Sequence, residues 1–275
     1  MIKLYNNFNI QSIHKKSIIL IGNFDGLHLG HQKLFYLAKR YKKKFSLKVG
    51  VLTFEPMPKM YFNREIKNFR ISNKKQKIKL LNKFNVDFVI IKKFNKKFSK
   101  IKSIDFIKKI LSKKLNARYI FVSNNFRFGN KREGDVRQLI KYEHQCNYKI
   151  VKPKPLLIKK KVVSSTLIRN YLQKGKLDKI NKLLNREWSI EGKVQKGRKL
   201  GKKIGFPTAN IDIKDYVLSC PGVYAVRAKM AKSSKYLKGI ANLGYRPTFN
   251  GKKILLEVHL FNFSGNLYNK YLTVE

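Results

Sequence analysis

One stretch of ten residues, 22–31, does most to restrict how this chain folds. It reads Gly-Asn-Phe-Asp-Gly-Leu-His-Leu-Gly-His and lies between the apolar run Ile18–Ile21, typical of a buried parallel strand, and a helical pattern over 31–41. A strand, a glycine-bearing loop and a helix present backbone N–H groups and a positive helix end to a phosphate. Because His28 and His31 begin the helix, both can contact one anion. The stretch predicts a phosphate site; the structural alternative is a helix cap with one buried and one exposed histidine.

Two common nucleotide-binding patterns are absent from this loop. The chain has no Gly-x-x-x-x-Gly-Lys-Ser/Thr sequence, and this turn lacks the Gly-x-Gly-x-x-Gly pattern of dinucleotide-binding folds. Histidines in place of lysine favour donors aimed at the α- and β-phosphates during nucleotidyl transfer. In that reaction an enzyme mostly positions groups and stabilises charge, and it needs no covalent nucleophile.

Apolar strands alternate with helical patterns from residue 17 to about 185, which predicts a Rossmann-like α/β domain with a parallel sheet. Ligands of such sheets bind where loops follow the carboxyl ends of the strands. The loops 53–58 and 123–129 follow two predicted strands. We therefore expect them to lie at the same edge of the sheet as 22–31.

A second anion site is predicted at the sequence Ser164-Ser165-Thr166 with Arg169. Hydroxyls and amides at a helix start, with an arginine about one turn later, can hold phosphate oxygens. An ordinary helix cap with a solvated arginine is the structural alternative.

The chain changes character after Trp188, where glycine and proline become frequent and the apolar runs become short. The runs at 222–228, 239–243 and 254–263 predict the strands of a small all-β barrel or sandwich. In the last run, even-numbered positions from 256 are apolar as far as 260, while Glu257 and His259 lie on the opposite face. We predict two domains, 1–186 and 187–275.

The chain is strongly basic, with 63 lysines and arginines against 15 acidic residues and a formal net charge of +48. Such a balance raises the question of nucleic acid as a partner. Only 12 of the basic residues are arginines, however, and the lysines are scattered through every segment. Sites that read bases or clamp phosphates favour arginine in one patch. Compositional drift is the preferred interpretation, and a basic nucleic-acid-binding protein is kept as an alternative.

The remaining composition predicts a cytoplasmic protein that recognises no specific nucleic acid and no membrane. No apolar run approaches the roughly 20 residues that cross a bilayer, and the N-terminus lacks a signal-peptide pattern. Cys146 and Cys220 lie far apart in unrelated contexts, which fits a reducing compartment. The oligomeric state is not predicted.

In order along the chain, these motifs resemble those of the bacterial bifunctional riboflavin kinase/FMN adenylyltransferase family, also called FAD synthetases. The stretch 22–31 resembles the nucleotidyltransferase signature that ends in His-x-Gly-His. The segments 53–58, 126–135 and 164–169 resemble the other N-terminal motifs, and 201–210, 221–224, 244–249 and 257–268 resemble the riboflavin kinase motifs. The resemblance runs from about residue 17 to the last residue.

The resemblance implies that the N-terminal domain joins FMN to the AMP part of ATP and releases pyrophosphate. His28 and His31 would contact the ATP phosphates as catalytic residues, with the backbone of Gly22, Phe24 and Asp25 lining the pocket. The other residues implied are Ser165, Thr166 and Arg169 on the opposite side of the phosphates, and Asn125, Phe126 and Arg127 near the flavin.

For the C-terminal domain, the resemblance implies ATP-dependent phosphorylation of riboflavin to FMN. Thr208 and Asn210 would bind the Mg²⁺ of the nucleotide through oxygen, and Glu257 would be the catalytic base. From the residues alone, a salt bridge is the preferred interpretation of Glu257. The glycines of the loop over the ATP phosphates would be Gly197, Gly201 and Gly205.

The chain departs from the family pattern at three places. Met57 stands where a histidine is usual, and Ser123 and Asn125 stand where a glycine and an aspartate are usual. The third is the end of the chain, since family members continue past 272–274 with another strand and a helix. We therefore expect a C-terminally incomplete barrel with an uncovered edge. An incomplete barrel leaves a second interpretation open: the chain has FMN adenylyltransferase activity only, and its kinase domain is a non-functional remnant.

Overall fold

The computed structural model describes residues 2–66, 68–196, 207–231, 233–248 and 251–275. The chain forms two compact units. The first comprises Met1–Glu65 and Lys77–Ser164, and the second comprises Ile66–Gln76 and Ser165–Glu275. The division into domains 1–186 and 187–275 stays a prediction.

The first unit is built on a parallel sheet of six strands. Its strands, with four short ones outside the sheet, are β1 (Lys3–Tyr5), β2 (Ile18–Ile21), β3 (Val49–Glu55), β4 (Phe88–Lys93), β5 (Tyr119–Phe121), β6 (Arg127–Phe128), β7 (Gly134–Asp135), β8 (Lys149–Val151), β9 (Leu157–Ile158) and β10 (Lys161–Val162). The order across the sheet is β1-β4-β3-β2-β5-β8. All four residues of β2 are buried, as expected for a central parallel strand covered on both faces.

Helices cover both faces of this sheet. They are α1 (Leu29–Phe45), α2 (Pro58–Phe62), α3 (Lys74–Asn82), α4 (Lys96–Ser99), α5 (Ser103–Asp105), a π-helix (Phe106–Lys114) and α6 (Val136–Lys141), with 3₁₀ turns at Ser12–His14, Asp25–Leu27 and Asn130–Arg132. Ile18 and Leu20 pack with the apolar side of α1, whereas Ile19 and Ile21 pack with the π-helix. Successive residues of β2 therefore supply two separate cores, which confirms the predicted Rossmann-like α/β class.

The second unit contains a closed antiparallel barrel. Its helices and strands are α7 (Ser165–Gln173), α8 (Leu177–Leu184), β11 (Ile190–Gln195), β12 (Ala209–Asp212), β13 (Gly222–Met230), β14 (Leu237–Thr248), β15 (Gly251–Leu260) and β16 (Tyr271–Val274). The strands close in the order β11-β12-β15-β14-β13-β16. Leu256, Val258 and Leu260 are buried in the barrel core, which confirms the alternation read from the sequence.

The expectation of an incomplete barrel with an uncovered edge is wrong. Val274 on β16 pairs with Ile190 on one side and with Ala228 on the other, so β16 is a shared strand and not an edge. Glu275 continues the pairing, because its backbone N–H and carbonyl both bond to Arg227. The first strand of the barrel, β11, therefore covers one side of β16, and β13 covers the other.

A segment from the first half of the chain, 66–76, completes the second unit. The Trp188 indole N–H donates to the Ile71 carbonyl at 2.9 Å, and the Tyr216 hydroxyl donates to Gln76 Oε1 at 2.7 Å. The Asn73 side-chain amide donates to the same hydroxyl at 2.7 Å. Burial raises the pKa of Tyr216, so the phenol stays protonated and able to donate.

No helix in the described part of the chain has both the length and the apolar character needed to cross a membrane.

Candidate active sites

The histidine loop (residues 22–31) connects β2 to α1 through an irregular backbone. Phe24 and Leu27 both have positive φ, 47° and 39°, a region that is unfavourable for large L-residues. Both side chains are buried, and the Phe24 ring packs edge-on against His31 and Phe35. Core packing therefore holds the strained turn, and Phe24 can line the predicted site through its backbone only.

His28 and His31 lie together at the first turn of α1. Their rings stack with centroids 3.7 Å apart and planes inclined by 20°. His28 is the N-cap residue, and its Nδ1 accepts a hydrogen bond from the His31 backbone N–H at 3.3 Å. In the neutral His28 ring the proton is therefore on Nε2. His28 therefore caps the helix, and the two histidine rings also lie side by side.

The His31 imidazole is neutral at physiological pH. Burial lowers its pKa well below the ordinary value, and the neighbouring His28 and Lys77 lower it further. Within the described residues, its buried Nδ1 has no hydrogen-bond partner. A buried polar atom without a partner is unfavourable, so an incoming ligand that supplies one gains affinity.

The Thr53–Pro58 motif lies beside the histidine loop, as the parallel sheet predicts. The Thr53 hydroxyl at the end of β3 donates to the Asn23 carbonyl at 3.4 Å. Met57 is only 1% exposed and precedes α2. Its side chain packs inside the protein, so this position supplies packing and no hydrogen-bond donor.

Sequence reasoning missed Lys77, on α3. Its Nζ lies 3.5 Å from Thr53 Oγ1. A lone lysine in a chain with so many gives no sequence signal, and only the packing of α3 against β3 identifies it.

Ser123 and Asn125, the two departures after β5, bond to each other. The Ser123 hydroxyl donates to Asn125 Oδ1 at 2.9 Å. Phe126 stacks on Phe128 with planes inclined by 17°, and Arg127 lies 3.6 Å from the Asp135 carboxylate on the paired strand β7. This hairpin presents a polar tip beside a stacked aromatic pair.

The Ser165–Thr166–Arg169 group belongs to the second unit. Ser165 is the first residue of α7, Thr166 is exposed, and Arg169 follows one turn later. The Arg169 Nε–H donates to the Phe69 carbonyl at 2.8 Å, and its guanidinium lies 3.7 Å over the Phe69 ring. These contacts fix the guanidinium within its own unit. The joint action of this group with the histidine loop stays a prediction.

In the barrel, Asn210 and Glu257 are direct partners across β12 and β15. Asn242 on β14 faces Glu257 from the other side. Asn210 is only 5% exposed, and its Oδ1 has no hydrogen-bond partner among the residues that the structure describes. A buried amide oxygen of this kind suits a hard cation that prefers oxygen ligands. Thr208, half-buried, lies two residues earlier.

Sequence reasoning also missed His259, whose Nδ1 lies 3.0 Å from the Pro207 carbonyl. Two residues after Glu257 on the same strand face, it contacts the segment that carries Thr208. The predicted loop glycines Gly197, Gly201 and Gly205 lie outside the described residues. Among residues that are described, no three histidines, cysteines or carboxylates form a metal-binding group.

A parallel α/β unit with a histidine-bearing strand–helix turn, followed by a six-stranded barrel, defines a two-part nucleotide-dependent transferase. The FAD synthetase family model matches residues 10–167, and the riboflavin kinase family model matches residues 184–275. The chain belongs to the bifunctional riboflavin kinase/FMN adenylyltransferase family, and both enzyme domains of that family are present in it.

Relatives named bifunctional riboflavin kinase/FMN adenylyltransferase resemble the chain over nearly its whole length. The Buchnera aphidicola (subsp. Schizaphis graminum) protein is 40% identical over 97% of this chain and 86% of its own length. The Escherichia coli K12 protein is 34% identical over 96% of this chain and 87% of its own length. A crystal structure described as a macrolide-efflux protein from Streptococcus pneumoniae superposes with a TM-score of 0.84 at 26% identity, covering 98% of this chain and 88% of that one.

Proposed function

We propose that this chain makes FAD from riboflavin in two ATP-dependent steps, one in each enzyme domain. The stacked pair His28 and His31 at the start of α1 is the observation that carries the proposal, because it couples ring donors to the positive end of a helix. The substrates are ATP, riboflavin and FMN, and Mg²⁺ accompanies the nucleotide. The proposed location is the cytoplasm.

In the adenylyltransferase step, an oxygen of the FMN phosphate attacks the α-phosphorus of ATP. The bond from that phosphorus to the bridging oxygen breaks, and pyrophosphate leaves with the electron pair. The His28 Nε2–H donates a hydrogen bond to a phosphate oxygen, and His31 contacts the same phosphates. Preorganised donors of this kind stabilise the charge that develops in the transition state.

Two further groups have proposed roles in adenylyl transfer. Ser165, Thr166 and Arg169 would bind ATP phosphates, and Asn125, Phe126 and Arg127 would lie near the flavin. The stacked rings of Phe126 and Phe128 support this placement, since a flat flavin ring packs well against aromatic side chains.

In the kinase step, the ribityl hydroxyl of riboflavin attacks the γ-phosphorus of ATP. Glu257 accepts the hydroxyl proton, and ADP leaves. Thr208 and Asn210 would hold Mg²⁺, which neutralises phosphate charge when it is bound; the buried Oδ1 of Asn210 supports this assignment. Gly197, Gly201 and Gly205 are proposed to cover the phosphates.

The single-activity alternative depended on an incomplete barrel. Because β16 closes the barrel, no observation now favours a kinase remnant over an active kinase. The nucleic-acid alternative predicts binding that weakens steeply as salt rises.

A product assay tests the proposal. The protein is incubated separately with riboflavin and with FMN, each with ATP and magnesium, and the flavins are separated by chromatography. We expect FMN and FAD from riboflavin, and FAD from FMN. No FAD from FMN at any magnesium concentration would refute the adenylyltransferase assignment, and no FMN from riboflavin would refute the kinase assignment.

A further inference from the structure

Lys77 is the single lysine among the described residues that the fold buries. Its exposed fraction is 4%, although it belongs to a chain whose lysines are otherwise typical of the surface. Placing an ammonium group in the interior is unfavourable unless the surroundings favour its charge. A buried cation therefore needs a structural or a functional explanation.

The contacts of Lys77 lead to the histidine loop. Its Nζ lies 3.5 Å from Thr53 Oγ1, and the Thr53 hydroxyl donates to the Asn23 carbonyl at 3.4 Å. The ammonium, the hydroxyl and the loop carbonyl thus form one directional chain in which each donor faces the next acceptor. Through this chain, α3 supports the loop from the side of β3.

Lys77 also acts on His31 through its charge. Its positive charge is one of the three causes that keep the pKa of His31 low. A fixed cation close to the neutral His31 ring makes the pocket more favourable for an anion than the ring alone, because charge interactions are strong where water is excluded.

We propose that Lys77 is a positioning residue for adenylyl transfer: its buried ammonium supports the histidine loop through Thr53 and supplies fixed positive charge for the phosphates of ATP. This inference rests on the proposed adenylyltransferase site. It assigns to α3 a part in the reaction that none of the sequence motifs includes.

The test compares Lys77→Met, which removes the charge at similar length, with Lys77→Arg, which keeps it. Lys74→Met, an exposed position on the same helix, is the matched control. For each variant, kcat and KM for ATP are measured for FAD formation from FMN, and riboflavin phosphorylation in the same preparation reports on folding.

We expect Lys77→Met to lower kcat/KM for ATP in FAD formation at least tenfold and to leave the kinase rate within twofold. Lys77→Arg should recover most of the loss, and Lys74→Met should match the wild type. The His31 pKa, followed by ¹³C NMR of the rings, should rise in Lys77→Met. A His31 pKa that rises in Lys77→Met and stays low in Lys77→Arg distinguishes a missing charge from a general packing defect.

Several outcomes would overturn the inference. FAD formation within twofold of wild type in Lys77→Met would do so, as would an Arg variant as slow as the Met variant with an unchanged His31 titration. The His28→Ala variant distinguishes failure of this inference from failure of the proposed site. If His28→Ala makes FAD normally, the assignment of the histidine loop fails. If His28→Ala loses FAD formation and Lys77→Met does not, only the role of Lys77 is refuted.

A wild-type measurement keeps the test decisive if Lys77→Met also loses kinase activity. The ¹³Cε signal of Lys77, assigned by its absence in Lys77→Arg, is followed while a non-hydrolysable ATP analogue is added with magnesium. A shift of this signal that saturates with the analogue supports the inference, and an unmoved signal overturns it.

Discussion

Asn210 lies directly opposite Glu257 on the paired strands β12 and β15, with its buried Oδ1 lacking a hydrogen-bond partner in the described part of the chain. The pair places a carboxylate and an amide oxygen side by side on a rigid ladder, outside the apolar row of Leu256 and Val258. A position that leaves a buried polar atom unsatisfied is disfavoured by stability alone. Its presence fits a role in binding.

Replacing Glu257 with glutamine should abolish the kinase step and spare the adenylyl step. Glutamine keeps the shape of the side chain but accepts no proton, and a general base contributes about 10²–10⁴-fold to such a reaction. FMN formation from riboflavin should fall by that factor, while FAD formation from added FMN stays unchanged. A Glu257→Gln protein that still phosphorylates riboflavin at wild-type rate would show that another group takes the proton.

Replacing Asn210 with alanine should separate activity from stability. Removing a buried oxygen that has no hydrogen-bond partner among the described residues should change the free energy of unfolding by less than about 1 kcal/mol. The magnesium concentration that gives half-maximal kinase rate should instead rise about tenfold, because a cation would lose an oxygen ligand. Denaturant unfolding and a magnesium titration measure the two effects. Strong destabilisation with unchanged magnesium dependence would assign Asn210 a structural role.

Binding of ATP to the adenylyltransferase site should take up protons near neutral pH. His31 is neutral in the free protein because its pKa is lowered, and an adjacent triphosphate favours the charged ring and raises that pKa. Up to about one proton per bound ATP should therefore be absorbed between the two pKa values. Calorimetric titration of Glu257→Gln, in buffers of different ionisation enthalpy, measures this number. His31→Gln should remove the uptake, and an equal uptake in that variant would contradict the assignment.

His31 should also make the fold sensitive to acid. The pKa of His31 in the folded state is below the unfolded value of 6.5. Below pH 6.5 the unfolded state therefore binds more protons than the folded state, and the free energy of unfolding decreases as the pH is lowered. Above the unfolded pKa both states are neutral, and the contribution is flat. Thermal unfolding of the wild type and His31→Gln from pH 7.5 to pH 5 should therefore diverge only on the acidic side. Parallel curves over the whole range would show that the ring is not buried as a neutral group.

Replacing Gly30 with alanine should damage the histidine loop despite the higher helix propensity of alanine. A Cβ at Gly30 would lie 2.9 Å from the Val163 carbonyl and 3.1 Å from the His28 ring. Overpacking of this kind costs about 1–3 kcal/mol, and His28 should be displaced. FAD formation should fall at least tenfold with the kinase rate unaffected. An alanine variant with full FAD formation would show that the close approach is not required.

Periodic patterns predicted much of this fold because each reports burial of its own element. The run Ile18–Ile21 is a central strand, and the alternation around Glu257 appears as an apolar row on the other face of β15. The apolar spacing over 104–115 is typical of a helix, and the structure has a π-helix there from Phe106, since spacing of apolar residues does not distinguish i+4 from i+5 hydrogen bonding.

Features that depend on partners distant in sequence escaped prediction. Closure of the barrel depends on Val274 pairing with Ile190 and Ala228, and no local pattern reports that pairing. Lys77 and His259 are ordinary residues in the sequence, and only packing brings them close to the proposed site residues. The position of Met57 was identified as a departure, but its burial needed the structure.

The 66–76 segment makes the second unit discontinuous along the chain. A fragment that starts at residue 187 would leave the Trp188 indole and the Tyr216 hydroxyl without Ile71 and Gln76 as acceptors. A fragment that ends at residue 186 would keep the segment but lack the barrel on which it docks. The two catalytic modules are thus interleaved in the linear chain, and no single cut in the polypeptide or its gene yields both with their contacts intact.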